Sequence, residues 1–142
     1  MFASDYLNKL YKECVGKNPN EPEFLQVVRI FLQSVDSLLP AMPQIETSGA
    51  LERILEPERT IIFRVPWVDD KGRVRVNRGF RVQYNGAVGP YKGGLRFDET
   101  MNLSVAKFLA FEQTLKTPLP ACLWAAPRAA RISRPKAKAT AR

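Results

Sequence analysis

Histidine is absent from this chain of 142 residues, and cysteine occurs only as Cys14 and Cys122. The first absence removes the commonest metal ligand and the usual general base near neutral pH. Two cysteines cannot form a disulfide framework, and no His or Cys cluster has metal-ligand spacing. There is no long uninterrupted apolar run and the mean hydropathy is −0.23, which excludes a spanning helix. The opening stretch, MFASDYLNKLYKECVG, mixes acids and bases and lacks the apolar core and small-residue cleavage site of a signal peptide. No Gly-Lys-Ser/Thr phosphate loop, Gly-x-Gly-x-x-Gly turn or internal repeat occurs. Apolar residues make up 45% and charged residues 25%, the composition of a soluble globular chain of one-domain length. A cytoplasmic location with two free thiols is expected.

Acidic residues are also missing, but only locally. Residues 117–142 hold Arg128, Arg131, Arg134, Lys136, Lys138 and Arg142 and no acid. Removing these six from the 22 basic residues leaves 16 against 14 acids in residues 1–116, so the formal +8 is mostly a property of the tail. The body has no basic stripe of its own, which argues against a nucleic-acid-binding domain.

Apolar spacing predicts a helix over residues 2–15, through Phe2, Tyr6, Leu7, Leu10, Tyr11 and Cys14, stopped by Gly16 and Asn18-Pro19-Asn20. Asn20 is placed to cap a second helix, with Pro22 in its first turn and Glu23 three residues on, as in a capping box. Its stripe runs from Phe24 to Leu39, and Pro40 and Pro43 end it. A short helix is expected over residues 48–55. The period then becomes two. Ile61, Phe63, Val65 and Trp67 alternate with Ile62, Arg64, Pro66 and Val68, which predicts a strand largely buried on both faces. Asp69-Asp70-Lys71-Gly72 reads as a turn, Val74 to Tyr84 as the return strand, and Pro66 marks an edge or a bulge. Residues 85–97 form a Gly-rich loop, and Asn102 or Ser104 caps a helix through Lys116. The fold class is α/β, with N-terminal helices, then a β-hairpin, then strand-loop-helix.

The stretch with chemical content is GPYKGGLRF, residues 89–97. Lys92 lies between a stiff Pro-Tyr and two glycines, so one cation is held where backbone N–H groups can approach a carboxylate or phosphate. A basic surface turn is the plainer reading of these letters alone. On the following helix, FEQTLK (residues 111–116) places Gln113 and Lys116 on one face. Two lysines and an amide converging on one site would bind a dicarboxylate, the cations neutralising it and the amide orienting it.

Together these motifs resemble the hexameric NADP-dependent glutamate dehydrogenases, of the Glu/Leu/Phe/Val dehydrogenase family. The resemblance is strongest over residues 52–116 and extends more loosely to the two preceding helices. It implies reversible reductive amination of 2-oxoglutarate to glutamate with NADP as cofactor, and an incomplete substrate (dimerisation) domain in residues 1–116. It implies that Lys92 contacts the distal carboxylate while Gln113 and Lys116 hold the α-carboxylate. A homo-hexamer is the family's assembly, with no membrane, metal or specific nucleic acid involved.

The family's catalytic lysine belongs in a following segment similar to LPMGGGKGGSDFDPKGKS, and the chain departs from it. Residues 117–142 instead contain eight alanines, four prolines and no acid. Codon arithmetic explains the departure. If each codon's third base is joined to the first two of the next, Trp124 and Ala125 force glycine. Cys122 with Leu123 permits proline, and Leu123 with Trp124 permits methionine. Carried through, residues 121–133 permit Leu-Pro-Met-Gly-Gly-x-Lys-Gly-Gly-Ser-Asp-Phe and residues 135–139 permit Pro-Lys-Gly-Lys-Ser, with a mismatch at Arg134. The tail is therefore read as that segment one nucleotide out of frame from about codon 115, and as disordered. The family lysine's codon is the one now read as Arg128, whose pKa is too high for proton exchange near neutrality. No catalytic residue and no bound cofactor are then expected of this chain. Two other readings are an interaction module that joins intact dehydrogenase subunits and nucleic-acid binding through the basic tail.

Overall fold

The computed structural model describes residues 1–116 and a short strand at residues 131–132. The expectations for the rest of the tail lie outside the described residues.

Helix α1 (Asp5–Lys17) starts where the Ser4 hydroxyl accepts the Leu7 N–H, later than the apolar spacing suggests, and it runs through Gly16 to Asn18. It buries Leu7, Leu10 and Cys14. Its N-terminus is also served by Asp36, whose carboxylate accepts the N–H groups of Ala3 (2.7 Å) and Ser4 (3.1 Å). An anion there complements the positive end of the helix dipole. Helix α2 (Pro22–Asp36) buries Phe24, Val28, Leu32 and Val35. It stops at Asp36, before the prolines, and a single 3-10 turn (Leu39–Ala41) follows.

The cap expected from Asn20 does not form. Asn20 adopts a left-handed backbone (φ +66°) and Glu21 holds the N-cap position without a side-chain cap bond. The physical cause is tertiary: Glu21 is drawn to Lys107, and the Phe24 N–H is satisfied by Ser104 Oγ at 3.1 Å, from another helix. The short helix expected over residues 48–55 is α4 (Ala50–Leu55), and an unpredicted helical turn, α3 (Gln44–Thr47), precedes it, the two separated by Gly49 at φ +62°. Glycine takes that left-handed backbone at no steric cost.

Strands β1 (Arg59–Val68) and β2 (Val74–Gln83) pair antiparallel from Arg59↔Gln83 to Val68↔Val74. Asp69 organises the connecting turn. Its carboxylate accepts N–H groups from Lys71 (3.0 Å) and Arg73 (2.9 Å) and pairs with the Arg73 and Arg75 guanidiniums at 3.0 Å. These contacts, the Arg73 backbone N–H first, hold its carboxyl far below the usual range. Gly72 supplies the positive φ (+73°). Strand β3 (Arg131–Ile132) pairs antiparallel with Gly79 and Phe80 of β2, giving the order β1-β2-β3. β1 is thus at one edge of the described sheet, with Pro66 opposite Val76, in keeping with the edge expected from that proline.

β1 is not buried on both faces. Its residues alternate between exposed and half-buried along the distal half, and Ile62 is 52% exposed. An apolar run alone does not create a covering layer. The hairpin extends beyond the helices, which cover only the base of the sheet. There Phe80, Val82 and Tyr84 are buried against α2 and α5 (Leu103–Lys116). One distal contact is local: the Phe63 ring lies over Gly79, where a Cβ would come within 2.5 Å of it. The core centres on Phe111, which meets Phe24, Phe31 and Tyr84 with ring centroids 5.4–6.2 Å apart. The α/β class expected from the sequence is met in part, as helices packed on a small antiparallel sheet.

Candidate functional site

The candidate site is built from the loop over residues 85–97 and the last turn of α5. Both are rooted in the aromatic core. Tyr84 immediately precedes the loop and Phe111 immediately precedes Glu112 and Gln113, and their rings meet at 5.4 Å. The Tyr84 hydroxyl donates to the Leu55 carbonyl at 3.0 Å, so the root of the loop is held from two sides. Burial pushes the Tyr84 phenol well above its ordinary range, so it remains a neutral donor.

Short local bonds shape the loop itself. The Ala87 N–H donates to Asn85 Oδ1 at 2.9 Å and the Gly89 N–H to the Gly86 carbonyl at 3.2 Å. Gly89 sits at φ +151°, in the region that favours glycine. At the far end Asp98 accepts the Thr100 hydroxyl (2.6 Å) and N–H (2.9 Å) and pairs with Arg96 at 3.0 Å. These bonds, the Thr100 hydroxyl first, draw its carboxyl down to about 2. Asn102 then caps α5 by accepting the Val105 N–H at 2.8 Å. Of the two caps predicted for α5, Asn102 serves it, whereas Ser104 is buried and caps α2.

Lys92 is exposed on the loop and makes no hydrogen bond or ion pair among the described residues. Lys116, also exposed, lies 3.6 Å from Glu112 one turn earlier, a contact of little energetic weight at such exposure. Gln113 is half-buried and held by an interaction of its own. Gln113 and Lys116 therefore share one helix turn, and the loop's root is pinned to that helix. Among the described residues no ion pair or hydrogen bond joins Lys92 to Lys116, which pairs with Glu112 instead. A shallow groove on the hairpin, between Ile62, Phe63, Arg64, Val76, Asn77 and Arg78, shares no residue with this site.

Sequence reasoning missed Lys107. It is 9% exposed, and its ammonium lies 2.9 Å from Glu21 and 2.7 Å from Asn18 Oδ1, and over the Phe24 ring at 5.5 Å. This ties the start of α5 to the segment between α1 and α2. The available signal was a single charge inside the apolar run Leu103 to Phe111.

Residues 57–122 match the family model of the Glu/Leu/Phe/Val dehydrogenase dimerisation domain. The NAD-specific glutamate dehydrogenase of Porphyromonas gingivalis is 55% identical over 104 residues, 73% of this chain and 23% of that protein. The matched region is similar to the N-terminal part of the glutamate dehydrogenases. The NADP-specific glutamate dehydrogenase of Escherichia coli is 47% identical over 114 residues, covering 80% of this chain and 25% of that one. Among solved structures, a glutamate dehydrogenase superposes with a TM-score of 0.79 at 46% identity, over 92% of this chain and 30% of its own. Plasmodium falciparum glutamate dehydrogenase 2 gives a TM-score of 0.78 at 43% identity, over 94% and 29%. The chain spans about a quarter of the length of the glutamate dehydrogenases it matches. Those relatives carry both NAD-specific and NADP-specific names, so similarity reaches the family and not the choice between nicotinamides.

Proposed function

We propose that residues 1–116 form the substrate-binding front of an NADP-dependent glutamate dehydrogenase. In this reading Lys92 takes the distal carboxylate of 2-oxoglutarate and Gln113 and Lys116 take its α-carboxylate. The observation that carries it is the Tyr84–Phe111 contact, which roots the loop bearing Lys92 beside the helix turn bearing the other two. Exposed, uncommitted Lys92 is available to a dianion, and Lys116 has only a weak local partner to give up. Cation and amide donors on a carboxylate make short charge-assisted bonds that fix orientation as well as affinity.

A nicotinamide, when bound to an enzyme of this kind, supplies or accepts the hydride. The described residues do not fit a dinucleotide, since both strand pairings are antiparallel and no parallel βαβ unit occurs among them. The proposal for this chain is therefore confined to binding and orienting the dicarboxylate. Its cytoplasmic location and association with further copies, as in the family's hexamers, belong to the same reading. The out-of-frame match of the tail to the family's glycine-rich lysine segment supports a displaced reading frame as the origin of residues 117–142.

Sequencing the gene across codons 114–117 tests the frame, and an enzyme expressed from the frame-restored gene tests the site. That enzyme is expected to oxidise NADPH only with 2-oxoglutarate and ammonia present. Lys92→Ala is expected to raise KM for 2-oxoglutarate about tenfold to a hundredfold, the equivalent of about 1.5–3 kcal/mol for one charge-assisted contact. An unchanged KM for 2-oxoglutarate with weakened NADPH binding would overturn the assignment.

A further inference from the structure

The loop that carries Lys92 has a second anchor, away from the aromatic root. Glu58, just before β1, donates its own N–H to the Tyr84 carbonyl at 3.1 Å. Its carboxylate Oε1 accepts the Gly86 N–H at 2.8 Å. One residue therefore holds the chain on both sides of Asn85, where β2 gives way to the loop. Gly86 is also a point of close approach: a Cβ there would lie 3.0 Å from the Tyr91 hydroxyl oxygen and 3.3 Å from Glu58 Oε2. The absence of a side chain at Gly86 thus lets the Tyr91 phenol fold back beside the Glu58 carboxylate. Tyr91 is half-buried, whereas Lys92, its neighbour, is exposed. With Pro90 stiffening the preceding bond rotation, the position of Tyr91 sets where the Lys92 backbone leaves the fold.

We infer that Glu58 is a positioning residue for Lys92, acting through the Gly86 N–H and the docked ring of Tyr91. It touches no substrate. It limits the directions open to the lysine, so that less conformational freedom is lost when a carboxylate is bound. This inference rests on the role proposed for Lys92. The anchoring itself can be tested without that role.

Limited trypsin digestion of the 142-residue chain reads the anchoring directly, because cleavage after Lys92 reports local opening of the loop. Glu58→Ala and Gly86→Ala are each expected to accelerate that cleavage about threefold to tenfold, the effect of losing one exposed charge-assisted bond. Glu58→Gln retains an acceptor oxygen and should cleave within about twofold of the parent chain. Cleavage after Arg53, outside the loop, serves as the control for general unfolding. In the frame-restored enzyme, Glu58→Ala should raise KM for 2-oxoglutarate with little change in KM for NADPH, and Glu58→Gln should restore it. Unchanged cleavage in Glu58→Ala overturns the inference, as does equal acceleration after Arg53. If Lys92→Ala moves KM for 2-oxoglutarate and Glu58→Ala does not, positioning is wrong and the proposed function stands. If neither moves it, the proposed function fails and the digestion alone decides the anchor.

Discussion

The two ends of β2 use the same residue types and end in opposite environments. Val74, Val76, Phe80 and Val82 occupy one face of the strand by register. The first two are 72% and 61% exposed, and the last two are 7% and 2% exposed. Nothing in the alternation separates them. What differs is the layer opposite: α2 and α5 cover the base of the hairpin and stop short of its tip. Burial stabilises a large apolar side chain by about 1.5–3 kcal/mol relative to exposure, so the two ends of one strand contribute very differently to the fold.

The sharpest way to probe that difference is at the centre of the covered end. Phe111→Ala should cost about 3–5 kcal/mol, a large share of the roughly 5–15 kcal/mol that holds a typical domain, and chemical denaturation should show an early or lost transition. Lys107→Met should follow at about 3 kcal/mol, because it strands the buried Glu21 carboxylate. The double variant Lys107→Met/Glu21→Leu should recover part of that loss, since a buried pair replaced by apolar groups is often neutral. If the double variant is worse than the sum, the pair is more than a tether between α5 and the α1–α2 connection. Tyr84→Phe removes only the bond to the Leu55 carbonyl and should cost about 1 kcal/mol by the same measurement. At the uncovered end, Val76→Thr should stay within about 0.5 kcal/mol. A loss there approaching that of Val82→Thr would mean the tip is covered in solution.

Acid offers the smallest test, confined to the connections. Asp98 has its carboxyl drawn down to about 2 by the Thr100 and Arg96 contacts. The folded value lies below the unfolded one, so its stabilisation is complete above the ordinary aspartate pKa of about 3.9 and is lost as pH falls through the folded value. The Thr100 amide resonance should therefore titrate with a midpoint near that lower value. A midpoint at the ordinary aspartate value would remove the Asp98 clamp from the loop. Asp69, depressed for the same kind of reason, should keep the hairpin turn intact until still lower pH.

The helices were legible because their apolar spacing coincides with what they bury: Leu7, Leu10 and Cys14 on α1, and Phe24, Val28 and Leu32 on α2. The turn at Asp69–Gly72 was legible too, since its chemistry is local. The end of β2 also agrees with the pattern to within a residue. The caps were not legible. Asn20 has the right chemistry at the right distance from α2, but Lys107, far along the chain, takes Glu21 and so redirects the segment. Ser104 has the chemistry to cap its own helix and caps another one. Within the site, Lys92, Gln113 and Lys116 stand out in the sequence through their motifs. Glu58 does not, because its bond to Gly86 exists only once β1 and β2 have paired.

Local stereochemistry and periodicity thus determine what residues 1–116 can form: four helices, a hairpin with an aspartate turn, and a loop that offers one lysine. The motifs are also specific enough to point to the dimerisation domain of the Glu/Leu/Phe/Val dehydrogenases, which the family model matches over residues 57–122. Tertiary structure decides which apolar faces find a partner, which polar side chain caps which helix, and how the loop is seated. Those outcomes depend on groups brought together from distant parts of the chain. An N–H or a carboxylate is satisfied by whichever partner the packing places within bonding distance, and spacing along the sequence does not encode that placement.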